Sequence, residues 1–275
     1  MGTSVDDRRS VTATYVYCLV HLGRPGRASR ATLSTARAPR GLPRVHRVRA
    51  LEAGDGLWLV VADAPLAQYG GARIEGRLSD LDWVGRCAVA HEAVVEHFTP
   101  VGTVIPMKLF TLFADDARAL ARIRAIRPSL DRAIARLTQR EEWAVRVSLD
   151  EARAARRAER DAGARTRGLS RGTSFLVRKQ SARDQRRRLV AESRTAIDDT
   201  FASLERVADD ARRRRPEQDG MATRLLLDAA FLVPSTQRAR FRTTVERAAA
   251  RLGERGYEVT LTGPWPPYNF VGDPA

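Results

Sequence analysis

Apolar residues recur along the chain at two spacings, alternate positions and every third or fourth, and these divide its first half into successive elements. Residues 12–20 are β-branched and aromatic and read as a buried strand. Residues 45–51 alternate weakly, and 57–62 follow after the turn Gly54-Asp55-Gly56, so a hairpin is expected. Residues 64–76 read as irregular. Ser79 stands where a helix N-cap belongs. Beyond it Leu81, Val84, Cys87 or Ala88, His91, Val94 or Val95 and Phe98 mark one buried helix face, ending before Pro100. Residues 101–110 are extended and apolar. A further helix opens at Asp115 and Asp116, restarts at Pro128 and runs to Leu137.

The second half opens on a clean alternation over 142–149. Trp143, Val145 and Val147 face one way, and Ala144, Arg146 and Ser148 the other. A long helix is expected from Ser174 to 215. Its seam is Val190, Ile197, Phe201, Leu204, Ala208 and Ala211, and the arginines at 212–215 close it before Pro216. Residues 223–233 form an apolar strand. Ser235 then caps a helix with Phe241, Val245, Ala248 and Leu252 inward, and 257–262 alternate as a last strand. This order is ferredoxin-like with one strand short or missing. The expected fold class is α+β in two domains. A mixed α+β domain covers 1–138 with a mobile Arg/Pro/Gly-rich loop at 23–43, and a modified ferredoxin-like domain with the long helix and a Pro/aromatic tail covers 139–275.

The tail, Gly263-Pro264-Trp265-Pro266-Pro267-Tyr268-Asn269-Phe270, follows that last strand. Proline has no N–H to donate, so the ladder is expected to stop and a stiff, polyproline-II-like segment to carry Trp265, Tyr268 and Phe270. These aromatics either lock the fold or meet a partner. The locking reading buries Trp265 and makes Trp265→Ala a loss of about 3–5 kcal/mol. Phe201 and Leu204 on the long helix complete the candidate partner-binding or domain-locking set.

Composition narrows the chemistry. The net charge of +15 suggests an anionic partner, yet Lys108 and Lys179 are the only lysines, which fits arginine filling solvated positions. The arginines are spread along the chain, and no strand carries the aromatic pattern of an RNA-binding sheet. A basic ferredoxin-like RNA- or DNA-binding protein is therefore the alternative reading, and the sequence argues against it. No apolar run is long enough to span a membrane, and the N-terminus lacks a secretory h-region. Cys18 and Cys87 sit in apolar patterns, as buried reduced thiols would.

Catalytic patterns fail on context. Gly168-Leu169-Ser170-Arg171-Gly172 has the nucleophile-elbow spacing, but Arg165-Thr166-Arg167 precede it where an apolar strand is needed. His91 and His97 are six apart and do not share a helix face, so they do not converge on a metal. No catalytic residue, cofactor or metal is expected, and the protein reads as no enzyme.

The tail resembles the terminal signature of the gas vesicle protein F/L (GvpF/GvpL) family. The stretch Val104-Ile105-Pro106-Met107-Lys108-Leu109-Phe110-Thr111 resembles that family's mid-chain strand ending, with Phe110 where many members have glycine. The opening strand Tyr15-Val16-Tyr17-Cys18 and the segment Glu142-Trp143-Ala144-Val145 fall in the matching order. The resemblance implies a gas vesicle assembly or minor structural protein that binds the small hydrophobic shell protein and other accessory gas vesicle proteins. It implies a place in the cytoplasm and at the gas vesicle, on the gas-facing side of the shell in some members. The family brings no catalytic residues to carry over.

Overall fold

The computed structural model describes residues 11–23, 33–150, 191–215 and 223–272. The Ala/Arg segment 151–167, the motif at 168–172, the expected helix start at Ser174, Val190 in its seam and loop residues 24–32 lie outside these. By their contacts the residues group into two compact units, Met1–Gln139 with Pro266–Ala275, and Arg140–Trp265.

In the first unit five strands, β1 (Thr12–His21), β2 (Arg49–Gly54), β3 (Leu57–Pro65), β4 (Thr103–Pro106) and β5 (Leu112–Phe113), form one antiparallel sheet. Its order is β2-β3-β1-β4, with β5 also on β1. The central β1 has no exposed residue from Tyr15 to Val20. Its register against β3 slips between Val16 and Cys18, leaving Tyr17 as the extra residue of a bulge. The slip puts Tyr15, Tyr17, Cys18 and Val20 into one apolar cluster. Val16 and Leu19 lie outside that cluster and are fully buried as well. A sheet covered on both faces needs such a continuous apolar strand.

Among its described residues the unit also holds α1 (Leu66–Tyr69), α2 (Gly71–Glu75), α3 (Leu81–Phe98), α4 (Asp116–Ala125) and α5 (Arg127–Leu137). The first two occupy residues expected to be irregular. The cap of α3 is Asp80 rather than Ser79, its carboxylate accepting the Trp83 N–H at 3.0 Å. Replacing Asp80 with alanine is expected to lower stability by about 1 kcal/mol, read from denaturant midpoints. The buried stripe of α3 runs Trp83, Cys87, His91, Val94, Val95, Phe98, and Leu81, expected inward, is 79% exposed. Part of the expected mobile loop is pinned. Leu33 and Leu42 join the core, and the Leu42 N–H donates to the Tyr17 hydroxyl at 3.0 Å. That approach requires glycine at 41, whose φ is +77° and whose Cβ would meet the Tyr17 oxygen at 2.1 Å.

The second unit holds β6 (Arg140–Asp150), a helix α6 over 191–205, β7 (Asp210–Arg214), β8 (Thr223–Pro234), α7 (Arg238–Gly253) and β9 (Tyr257–Trp265). The antiparallel order β7-β8-β6-β9 is that of a ferredoxin-like domain. The strand that looked short or missing is β7, read from sequence as the end of the long helix. Ala208 and Ala211 fit a helical seam, but alanine is a weak marker. The free edge of β8 offers backbone hydrogen bonds that no sequence pattern encodes, starting with the Asp209 N–H to Leu232 carbonyl at 2.8 Å. The arginines at 212–214 thus lie on an edge strand, where charge discourages further pairing.

Trp143, Val145, Val147, Phe231, Phe241 and Val245 form the core of this unit with Ile197, Phe201 and Leu204 of α6. Phe231 lies 5.4 Å from both Phe201 and Phe241. Ser235 starts a 3-10 turn, Ser235–Gln237, and α7 begins after it. The last strand runs three residues further than expected, through Pro264 to Trp265. Strand β9 is an edge, and its register slips between Glu142 and Ala144, so a residue without an N–H fits there.

Candidate functional site

The predicted site residues separate in the structure. Trp265 is 37% exposed, and its indole N–H donates to the Thr262 hydroxyl at 3.1 Å. The burial expected for it falls to Phe270 instead, which is fully buried, with Val271 and the prolines at 266 and 267 also inside. The segment turns rather than extending as polyproline II. The Tyr268 N–H reaches the Pro266 carbonyl at 2.8 Å, and the Phe270 N–H the Pro267 carbonyl at 3.0 Å. Residues from Pro266 onward group with the first unit, not with the second half as the sequence suggested. The two tail segments therefore separate at Trp265, which belongs to β9 and the second unit. Phe201 and Leu204 are core residues of the second unit, 9% and 0% exposed, and offer no surface.

Tyr268 anchors the tail to α3. The residue is 39% exposed, while its hydroxyl hydrogen-bonds the Glu92 carboxyl group. Burial raises the Tyr268 hydroxyl above its usual range, and the Glu92 carboxylate adds to this. Burial also raises Glu92, and the Tyr268 hydrogen bond partly opposes it. At the preceding position, His91 is buried with Nδ1 2.6 Å from the Tyr15 hydroxyl. That oxygen accepts the Phe110 N–H at 3.3 Å. Burial lowers His91 to about 4, against a backbone group of Met107, and raises Tyr17 to about 12. These are neutral core hydrogen bonds. Such a histidine holds packing in place and is poorly suited to proton transfer near neutral pH.

The outward face of α3 escaped the sequence reading. Leu81, Gly85, Ala88 and Val89, spaced for one helix face, are all exposed, with Val89 at 72%. Nothing lies within 4 Å of a Cβ built on Gly85. The signal was a second apolar stripe beside the first, and assigning Leu81 to the buried face concealed it. Several arginines elsewhere are matched by acids. Arg49 bridges Asp63 and Asp116, Arg140 holds Asp209, and Arg146 and Arg214 share Asp228. The central strands β6 and β8 carry Ala144, Arg146, Asp228, Ala230 and Leu232 on the face away from Trp143 and Phe231, without an aromatic to stack a base. Cys18 and Cys87 are free and buried. Among the described residues no acidic, histidine and cysteine cluster could hold a metal, and no helix is long and apolar enough to cross a membrane.

Together these features define an α+β protein with a ferredoxin-like unit and an exposed apolar stripe on α3. Residues 13–272 match the family model described as gas vesicle synthesis protein GvpL/GvpF. The chain is 32% identical over 227 residues to gas vesicle protein L of a Streptomyces species, covering 82% of this chain and 83% of that protein. It is 31% identical over 218 residues to gas vesicle protein L2 of Halobacterium salinarum, covering 70% and 74%. Two crystal structures share the fold. Gas vesicle protein GvpF from Anabaena superposes with a TM-score of 0.66 at 18% identity, and GvpF from Microcystis aeruginosa with 0.62 at 15%; each comparison covers 94% of this chain and 98% of the other. The chain belongs to the GvpL/GvpF family, and its role is in gas vesicles.

Proposed function

We propose that this protein serves gas vesicle assembly by binding the small hydrophobic shell protein and other accessory gas vesicle proteins. The family match over residues 13–272 carries this reading. A hydrophobic shell subunit must be shielded until it joins the growing shell, and a partner does this by covering its apolar face. The exposed stripe of α3 supports such a contact. Gly85 and Ala88 let a second helix approach closely, while Leu81 and Val89 supply apolar area. Of the predicted set, Trp265 and Tyr268 are the members left to meet a partner, and Phe270, Phe201 and Leu204 hold the fold. In its fullest form this reading places the protein at the shell, on the gas-facing side.

The test is co-purification of shell protein with the full chain and with Val89→Arg. The variant is expected to lose at least about tenfold in affinity, because a charge replaces apolar contact at the interface centre. Its melting temperature should stay within about a degree or two of wild type, since the position is solvated. Capture by wild type and variant alike would reject α3 as the docking face. No capture by wild type would reject the function.

A further inference from the structure

Four arginines surround a cavity of about 690 Å³ in the first unit. Arg44, Arg73, Arg77 and Arg86 line it over Pro43 and Trp83, and among the described residues no acidic side chain does. All four arginines are exposed, and none makes an ion pair among the described residues, unlike Arg49 or Arg140. Concentrated, unmatched positive charge in a concave site is an electrostatic attractor for anions.

The floor is fixed. Phe110 stacks on Trp83 at 5.3 Å with 7° between the rings, and Tyr69 lies 6.1 Å away. The Tyr69 hydroxyl donates to the Pro43 carbonyl at 2.7 Å. The Arg77 guanidinium sits 4.6 Å above the Trp83 ring. An arginine stacked in this way keeps its N–H edge free for a carboxylate or phosphate, with its rotamer already restricted. Arg44 has a φ of 61°, the left-handed region that glycine adopts with less strain. Glycine would serve the backbone better there, and arginine is what brings charge to the cavity wall.

The donors distinguish the anion. A phosphate cradle uses converging backbone N–H groups. Here the Arg73 and Arg77 N–H groups are spent on the Gly70 and Ile74 carbonyls, at 2.8 Å each. What remains is a set of guanidinium groups from separate chain positions around an apolar floor. That arrangement fits carboxylates flanking an apolar side chain better than one compact phosphate. We propose that this cavity docks an acidic peptide segment of a partner protein, with an apolar side chain seated over Pro43 beside the Arg77–Trp83 stack. That the partner belongs to vesicle assembly rests on the function proposed above; the docking chemistry does not.

The probe is a fluorescein-labelled octapeptide of glutamates around a central Leu-Phe pair, titrated by anisotropy into the purified full chain. A lysine-for-glutamate peptide, ATP and inorganic pyrophosphate serve as comparisons. The glutamate peptide should bind, weaken with salt, and lose about tenfold in affinity with Arg77→Ala. Arg77→Lys should also weaken it, since lysine keeps the charge but not the stacked fork. Arg44→Gly should weaken binding while the melting temperature holds or rises, an outcome a merely structural arginine would not give. Absence of binding, equal binding by the arginine variants, or binding of ATP or pyrophosphate in place of the peptide would each overturn the proposal. Loss of peptide binding with shell-protein capture intact sinks this inference alone; loss of both sinks the assembly reading as well.

Discussion

Phe270→Ala is expected to destabilise the protein by about 3–5 kcal/mol, the usual range for a large aromatic removed from a core. Phe270 has no exposed surface, so removing its ring leaves a cavity among buried side chains. Against a total stability of about 5–15 kcal/mol, that loss is a large fraction of what holds the protein folded. Trp265→Ala, two turns of chain earlier, should cost about 1 kcal/mol or less, because the ring is 37% exposed and its single indole hydrogen bond is to a surface threonine. Urea unfolding of the two variants side by side decides the matter. Equal losses would mean that the buried aromatic of the tail has been misassigned.

Acid should weaken the protein through His91. Burial lowers this group from 6.5 to about 4 in the folded state. Between those values the unfolded chain binds more protons than the folded one, so stability falls as the pH drops through the window. The contribution is fully present above about 6.5 and is lost by about pH 4, a span of roughly 3 kcal/mol. Glu92 works in the opposite direction. Its folded state is raised, so its contribution is present at low pH and is lost as pH rises through that raised value. Asp116, lowered by its hydrogen bond to Arg49, adds acid sensitivity only below the histidine window. His91→Gln keeps a polar partner for Tyr15 and removes the titration. Melting temperatures measured from pH 4 to pH 7 should fall less steeply in the variant. Parallel curves would place the acid sensitivity elsewhere.

The candidate site was legible only in outline. The aromatic tail announced itself, since three prolines and three aromatics within seven residues, 264–270, demand a reason. Which aromatic is buried was not legible, because Trp265 and Phe270 are equally apolar in sequence and the choice depends on where the chain turns after β9. The exposed apolar stripe of α3 was concealed by its own helix. Two apolar stripes on one helix cannot be ranked by spacing, and only packing shows that Trp83, not Leu81, opens the buried one. The arginine cavity was invisible for a related reason. Arg44 and Arg86 are 42 positions apart, and no local pattern separates them from the many arginines that pair with acids or meet solvent.

The sequence by itself determined the α+β class, most strands and helices, and the inward residues of α7, because those signals are periodic and local. Its terminal and mid-chain motifs also led to the right family. Tertiary structure alone decided that residues 210–214 complete the ferredoxin-like sheet as an edge strand, since an open row of β8 backbone groups outweighs a weak alanine seam. It alone decided that β9 runs on through Pro264, because a bulged edge leaves that position no bond to lose. And it returned the last residues to the first unit, where Phe270 finds a core that its own neighbours in sequence do not supply.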